Sequence, residues 1–347
     1  MKNTHNPTPA HQQVQSDEPV EVAQPVAAGS DGIDRRNFLS CMAWAGTGLL
    51  WTMAGGVPTS KLFAATAHAA GGGPARSKNG GGGDAGFSFV QISDSHIGFN
   101  KAANQDVTGT LKLALDKINR LSATPDLLLH TGDISHSSKP AEFDTAQQLI
   151  QSVKVGQAFY VPGEHDTASD DGALYRERFG KGTIGGGWYS FTHKGVHFVG
   201  LNNSLQIDAM GKLGAEQLSW LKADLASLSA STPIVVFAHI PLWMVYPEWG
   251  WGTQDGAEAL SYLKRFGSVT VLNGHIHQVV QKVEGNVAFH TATSTAFPQP
   301  APGQAPSAGP MVVPAGRLRS VLGITEVRYI AKHSHLAIVD SSLEDQG

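Results

Sequence analysis

The chain has 347 residues, 41% hydrophobic and only 16% charged, enough apolar material for one large core or two modest ones. A formal net charge of -4 without any basic block argues against nucleic acid as a partner, and a single cysteine, Cys41, rules out a disulfide framework.

Residues 1–33 are rich in Gln, Pro, Glu, Ala and Thr with hardly any large apolar side chains, so they cannot offset the entropy of ordering and are expected to be disordered. Asp34, Arg35, Arg36, Asn37, Phe38, Leu39 and Ser40 then lead into an apolar run from Phe38 to Met53, followed by the small-residue segment Ala64 to Ala70. A charged region, a short apolar region and an AxA site at 65–67 or 67–69 form a secretory signal. The run falls short of the roughly 20 apolar residues a bilayer span needs, which makes an uncleaved membrane anchor the less favoured reading. The arginine pair with Phe38 and Leu39 resembles the twin-arginine export signal, although Asp34 and Ser40 replace its usual Ser or Thr before the pair and Lys after it. That resemblance implies the twin-arginine export machinery as a partner and a periplasmic or secreted destination.

Cys41 lies too early in the run to be a lipoprotein attachment site, and cleavage near Ala67 or Ala69 would remove it. Any metal in the mature protein must then be held by histidine and carboxylate. Residues 71–86, GGGPARSKNGGGGDAG, read as a flexible linker. Three parts are expected: 1–70, 71–86 and a folded domain over 87–347.

In that domain Phe87, Phe89, Val90 and Ile92 make a short strand ending at Ser93-Asp94-Ser95-His96, and Leu111, Leu115, Ile118 and Leu121 recur at helical spacing. Leu127–Leu129 is a continuous apolar run, as in a strand buried on both faces, and it stops at Thr131-Gly132-Asp133. Ser138 and Pro140 open a helix through Ile150, and strand Ala158–Val161 ends at Gly163-Glu164-His165-Asp166. Trp188–Thr192 and Val196–Leu201 form a hairpin about Lys194-Gly195. Leu218, Leu221, Leu225 and Leu228 line a helix, strand Ile234–Ala238 ends at His239, and a helix over Ala259–Phe266 leads into strand Val269–Leu272. A second hairpin runs about Gly285-Asn286, residues 297–316 with six prolines are a loop or lid, and Val327–Ile330 and Leu336–Val339 close the domain. Strands alternating with helices and then hairpins point to α/β architecture with mixed sheets.

After strand Val269–Leu272 comes Asn273-Gly274-His275-Ile276-His277. In extended backbone or the turn beyond it, His275 and His277 can face one pocket, and Gly274 leaves room for close approach. By itself such a pair equally fits a solvated strand edge. Ligands in open α/β sheets bind at the carboxyl ends of strands, however, and five such ends here carry Asp94-x-His96, Gly132-Asp133, Gly163-Glu164-His165, His239 and Gly274-His275-x-His277.

This ordered series resembles the calcineurin-like metallophosphoesterases, with spacing like their class III cyclic-nucleotide phosphodiesterase branch, over roughly residues 87–293. The resemblance implies a four-layer αββα sandwich with two mixed β-sheets flanked by helices. It implies that Asp94, His96, Asp133 and His277 hold one metal, that Asp133, Glu164, His239 and His275 hold a second, and that Asp133 bridges them. Two divalent ions about 3.5–4 Å apart polarise phosphoryl oxygens and supply a hydroxide for in-line attack. The mixed imidazole and carboxylate set favours a transition-metal pair, Fe, Mn or Zn. His165 would be the catalytic group that stabilises charge or protonates the leaving oxygen, and Asp94 shares the catalytic centre as a ligand.

Weaker candidates are His130 and His136 as partners orienting ligands, Asn202 and Asn203 facing the site, and Trp243, Tyr246, Trp249 and Trp251 as a stacking surface, each open to an ordinary packing role. His290 reads as structural. Two functions remain: an exported dinuclear-metal phosphoesterase acting on a small phosphate mono- or diester, or a metal-binding protein on the same scaffold with weak or lost catalysis, because Glu164 stands where the family has Asn.

Overall fold

The computed structural model describes residues 51–54, 57–60, 86–205, 207, 209–330 and 335–344. Two compact units divide the chain, Met1–Arg76 and Ser77–Gly347. In the first, Trp51–Ala54 and Val57–Ser60 form an antiparallel pair; the rest of the expected signal and almost all of the expected linker lie outside the described residues. Among the described residues no helix is long and apolar enough to cross a membrane.

The second unit contains strands β1 (Phe87–Ile92), β2 (Leu127–His130), β3 (Gln157–Tyr160), β4 (Tyr189–His193), β5 (Val196–Gly200), β6 (Ile234–Phe237), β7 (Val269–Asn273), β8 (Gln281–Glu284), β9 (Val287–Thr291), β10 (Gly323–Ile330) and β11 (His335–Ser342). They form two mixed sheets, one of six strands in the order β8-β9-β7-β6-β5-β4 and one of five in the order β11-β10-β1-β2-β3. The central neighbours β1, β2 and β3 run parallel, as do β5, β6, β7 and β9, while the hairpin strands and β10 pair antiparallel.

Side-chain parity explains the layering. Phe87, Phe89, Leu127 and Leu129 of one sheet meet Val196, Phe198, Val235, Phe237 and Leu272 of the other, with Phe89 and Phe198 edge to face at 5.5 Å. The alternate residues Val90, Ile92 and Leu128 face outward onto helices α1 (Val107–Asn119) and α2 (Pro140–Ile150). On the far side Ile234, Val236, Val269 and Val271 pack against helices α5 (Ala215–Ala226) and α6 (Gly256–Leu263). The result is the expected αββα sandwich, in which the central strands are covered on both faces and therefore apolar throughout.

Two short helices escape the hydrophobic pattern, α3 (Glu164–Thr167) and α4 (Ala173–Phe179). The second buries only Tyr175 and Phe179, too few positions for a periodicity to declare itself. Strand β10 begins at Gly323, ahead of the expected Val327, because its early positions include Thr325 and Glu326, and Thr325 is buried in spite of its polarity. A last turn of helix, α7, spans Leu318–Val321.

Candidate metal centre

All five strand-end motifs meet at one end of the sandwich. The chain leaves β1, β2 and β7 and at once enters backbone that L-residues rarely adopt: φ is +54° at Asp94, +42° at His96, +51° at Asp133, +70° at His275 and +53° at His277. Left-handed turns beyond β7, and not extended backbone, thus aim His275 and His277, the second of the two settings read from the sequence. Each such residue costs on the order of 1–3 kcal/mol and persists only where its surroundings over-determine it. Those surroundings are present. Asp94 N–H donates to Gly132 O (2.9 Å), His96 N–H to Asp133 O (2.8 Å) and Gly274 N–H to His239 O (2.9 Å). A Cβ on Gly274 would collide with Ser93 Oγ and Asp94 Oδ2, and one on Gly163 with the Asp133 carboxylate, so the loops pack closer than any other residue permits.

The side chains divide into two sets about Asp133. In one, His277 Nε2 lies 3.1 Å from Asp94 Oδ1 and 3.2 Å from His96 Nε2. In the other, the Glu164 carboxylate reaches between two imidazoles, Oε2 to His239 Nε2 and Oε1 to His275 Nδ1, each at 2.9 Å. Asp133 Oδ2 is 3.4 Å from both His96 Nε2 and His239 Nε2. Asp94 also leans toward the second set, Oδ1 lying 3.9 Å from His239 Nε2. Ligand atoms of Asp94, His96 and His277, of Glu164, His239 and His275, and of Asp94, Asp133 and His239 each fall within 4.8 Å of one another. His239 Nε2, Glu164 Oε2 and both ring nitrogens of His275 are buried without any hydrogen-bond partner, since the 2.9 Å approaches are not aligned as hydrogen bonds. Buried polar atoms that converge on one point without bonding each other are what a cation would satisfy, so the donor set fits divalent metals.

Neighbouring groups fix the rings. Nδ1–H of His239 donates to Thr131 O (2.7 Å) and that of His277 to Phe297 O (2.5 Å), while His96 Nδ1 faces His136 Nδ1 at 3.3 Å. Each arrangement leaves Nε2 for the centre. Asp166 is a positioning residue not singled out in the sequence reading. Its carboxylate accepts N–H bonds from Ile134 (3.0 Å), Ser135 (2.8 Å) and Gly163 (3.0 Å), tying the Asp133 loop to the start of α3. The signal was available in an acid three residues into a helix that follows Gly163. Below the site Gln91 spans the sheets, donating to Thr131 Oγ1 (3.0 Å) and Asn273 O (3.1 Å).

Burial raises Asp94, yet His277 and His239 beside it bring its carboxyl down to about 2. Glu164 is likewise raised by burial and carried well below its usual range by His275 and His239. For His165 burial opposes protonation, and Asp133, Glu164 and the His136 carbonyl reverse it, so its pKa is raised. Burial and the Asp133 charge push Asp166 up to about 6. Most of the pocket is sealed, but the Glu164 side chain is 28% exposed and that of His275 14%, which puts the mouth on their side.

The weaker candidates separate cleanly. His130 is a buried support under the site, Nε2 on Ser95 Oγ at 2.8 Å, and His136 flanks His96 and stacks on His165. Asn202 and Asn203 do not serve the centre, because their amides are bonded to loop groups, Asn202 to Gly186 O and Asn203 to Ile240 O and Thr253 Oγ1. Trp251 and Trp243 are core, whereas Tyr246 and Trp249 stay partly exposed. His290 is structural as expected, pinned to Asp340 at 3.0 Å.

A sandwich of this kind with such a donor set at its strand ends belongs to a metal-dependent phosphoric ester hydrolase. Residues 87–279 match the family model of the calcineurin-like phosphoesterases, and the chain belongs to that family. It is similar to a 3',5'-cyclic-nucleotide phosphodiesterase of a Nostoc species, 26% identical over 223 residues that cover 61% of this chain and 79% of that protein. A probable glycerophosphodiester phosphodiesterase of Arcobacter nitrofigilis is also 26% identical, over 59% of this chain and 77% of its own. A solved dimetal phosphatase from Danio rerio shares the fold, with a TM-score of 0.51 at 15% identity over 74% of this chain and 96% of that one. So does a purple acid phosphatase from yellow lupin, with a TM-score of 0.55 at 15% identity over 77% and 53%.

His130 makes stability depend on pH. Burial holds it down at about 3, far below an unfolded value near 6.5, so the folded state loses stability as pH falls through that window. In chelator-treated protein, the advantage of wild type over His130→Gln by urea denaturation should shrink by about 2 kcal/mol between pH 7 and pH 5. A difference that does not change with pH would contradict this role.

Proposed function

We propose that this chain is an exported phosphoesterase of small phosphate esters that works with two divalent transition-metal ions, Fe, Mn or Zn, and prefers diesters. The observation that carries the reading is the two ligand sets sharing Asp133, each with at least two imidazoles and a carboxylate. Asp94, His96, Asp133 and His277 would hold one ion, and Asp133, Glu164, His239 and His275 the other. Bound there, the pair would supply Lewis acidity toward the phosphoryl oxygens and activate water at neutral pH.

The protein's own groups do the rest. His165 gives Nδ1–H to His136 O (2.7 Å), so its other nitrogen, Nε2, is the one left to meet a phosphoryl or leaving oxygen. In the metal-free centre the neighbouring carboxylates favour its protonated form, the state that donates a proton to a departing alkoxide. Ester entry at the exposed Glu164 side brings the phosphate past a carboxylate. Three carboxylates against two dications leave one positive charge, where Asn in place of Glu164 would leave two. A monoester dianion loses more attraction from that change than a diester monoanion. The diester names of the two relatives support the same preference. The rival reading, a metal-binding protein with feeble catalysis, draws on the same carboxylate, since the Glu164 charge lies 2.9 Å from both His239 and His275 and would weaken the Lewis acidity of whatever they hold.

The Mn-loaded wild type should hydrolyse bis-p-nitrophenyl phosphate faster than p-nitrophenyl phosphate. Glu164→Asn should raise turnover of the monoester about 10- to 100-fold, as the gain of one charge-assisted hydrogen bond implies, and make metal easier to strip with chelator. Unchanged turnover and retention would deny Glu164 this role, and no hydrolysis of either ester by wild type would favour the binding protein.

The twin-arginine route of export rests on the arginine pair. Arg35→Lys combined with Arg36→Lys should leave an uncleaved precursor in the cytoplasm on fractionation, whereas mature-sized protein outside would assign the general secretory route instead.

A further inference from the structure

The family match stops at residue 279, yet the chain returns to the centre beyond it. Thr295 N–H donates to Ser93 O at 3.0 Å, and Ser294 Oγ donates to Asp94 O at 2.8 Å. The same Ser294 hydroxyl accepts the N–H groups of Ala296 (2.8 Å) and Phe297 (3.2 Å), so one buried serine both grips the left-handed Asp94 and shapes the turn that follows. That turn delivers Phe297 to two histidines at once. Its carbonyl takes the His277 Nδ1–H, and its ring stacks on His96 at 4.7 Å and 28° and leans on His277 at 4.8 Å and 43°. Gln299 then donates to the His275 carbonyl at 3.0 Å, and Gln278 closes the segment by donating to Gln299 O and Pro300 O.

The contacts fall mainly on one side, and Gln299 reaches the other set at the His275 backbone carbonyl. Asp94, His96 and His277 are each held by this segment, while Glu164 and His239 find their partners in the Asp133 and His275 loops. Fixing the tautomer and ring plane of an imidazole raises its worth as a ligand, and an apolar ring laid over two imidazoles would keep water from competing for a cation that they hold.

We propose that Ser294–Gln299 is a positioning strap that sets the affinity of the Asp94–His96–His277 half of the centre and leaves the Glu164–His239 half largely independent. The proposal rests on the two-cation reading. It is tested on the full chain with cobalt(II), by chelator competition and by the visible spectrum of the bound ion. Wild type should hold two equivalents. Phe297→Leu, which keeps the core filled, and Ser294→Ala should each weaken one equivalent about 10- to 100-fold and alter its spectrum while the other is unchanged. Variants that are folded by circular dichroism but bind both equivalents as wild type does, or lose both together, would overturn the strap. Fewer than two equivalents on wild type would overturn the two-cation reading itself and the strap with it.

Discussion

One carboxylate oxygen governs the arrangement: Asp133 Oδ2 stands 3.4 Å from an imidazole of each ligand set. For a side chain to reach both, three parallel strands of one sheet and two of the other must end at the same level and their loops must pack without spacer atoms. The glycines supply the second condition. Gly163 lies against the Asp133 carboxylate within one sheet and Gly274 against Ser93 and Asp94 across the two sheets, where any Cβ would force the loops apart. The sandwich supplies the first, because the Phe89, Phe198 and Phe237 layer fixes the separation and registration of the sheets beneath the loops.

Convergence of this kind is unfavourable without a cation. Asp94 and Asp133 are almost fully buried near each other, and five candidate ligand residues hold left-handed backbone. The protein holds the arrangement with directed hydrogen bonds more than with apolar contact: Asp166 across two loops, Gln91 across two sheets, and Ser294 from far along the chain. Ions bound there would return this cost by neutralising the carboxylates, so that metal affinity and fold stability are linked quantities.

The architecture was open to reading because apolar runs such as Leu127–Leu129 and Ile234–Phe237 carry the signature of doubly covered strands, and because metal-binding residues cluster at their ends in an order that is hard to mistake. The seven candidate ligand positions, which the structure brings together, were legible for that reason. Their mode of presentation was not. A left-handed φ at Asp94 or His277 leaves no mark in a hydrophobic pattern; only the tolerance of Asp and His for that region hints at it. The strap was hidden by distance: Ser294 and Asp94 are 200 residues apart, and nothing local in a proline-rich loop reveals which carbonyl meets which imidazole. Asp166 was visible beside Glu164 and His165, but its value lies in backbone groups of Ile134 and Ser135 that the sequence does not place next to it.

The central claim, that a single carboxylate serves two cations, is tested most directly by counting metal. Plasma emission analysis of purified Asp133→Asn beside His277→Ala and wild type should find two equivalents in wild type, about one in His277→Ala and close to none in Asp133→Asn, with all three proteins folded. Two full equivalents retained by Asp133→Asn would contradict the account.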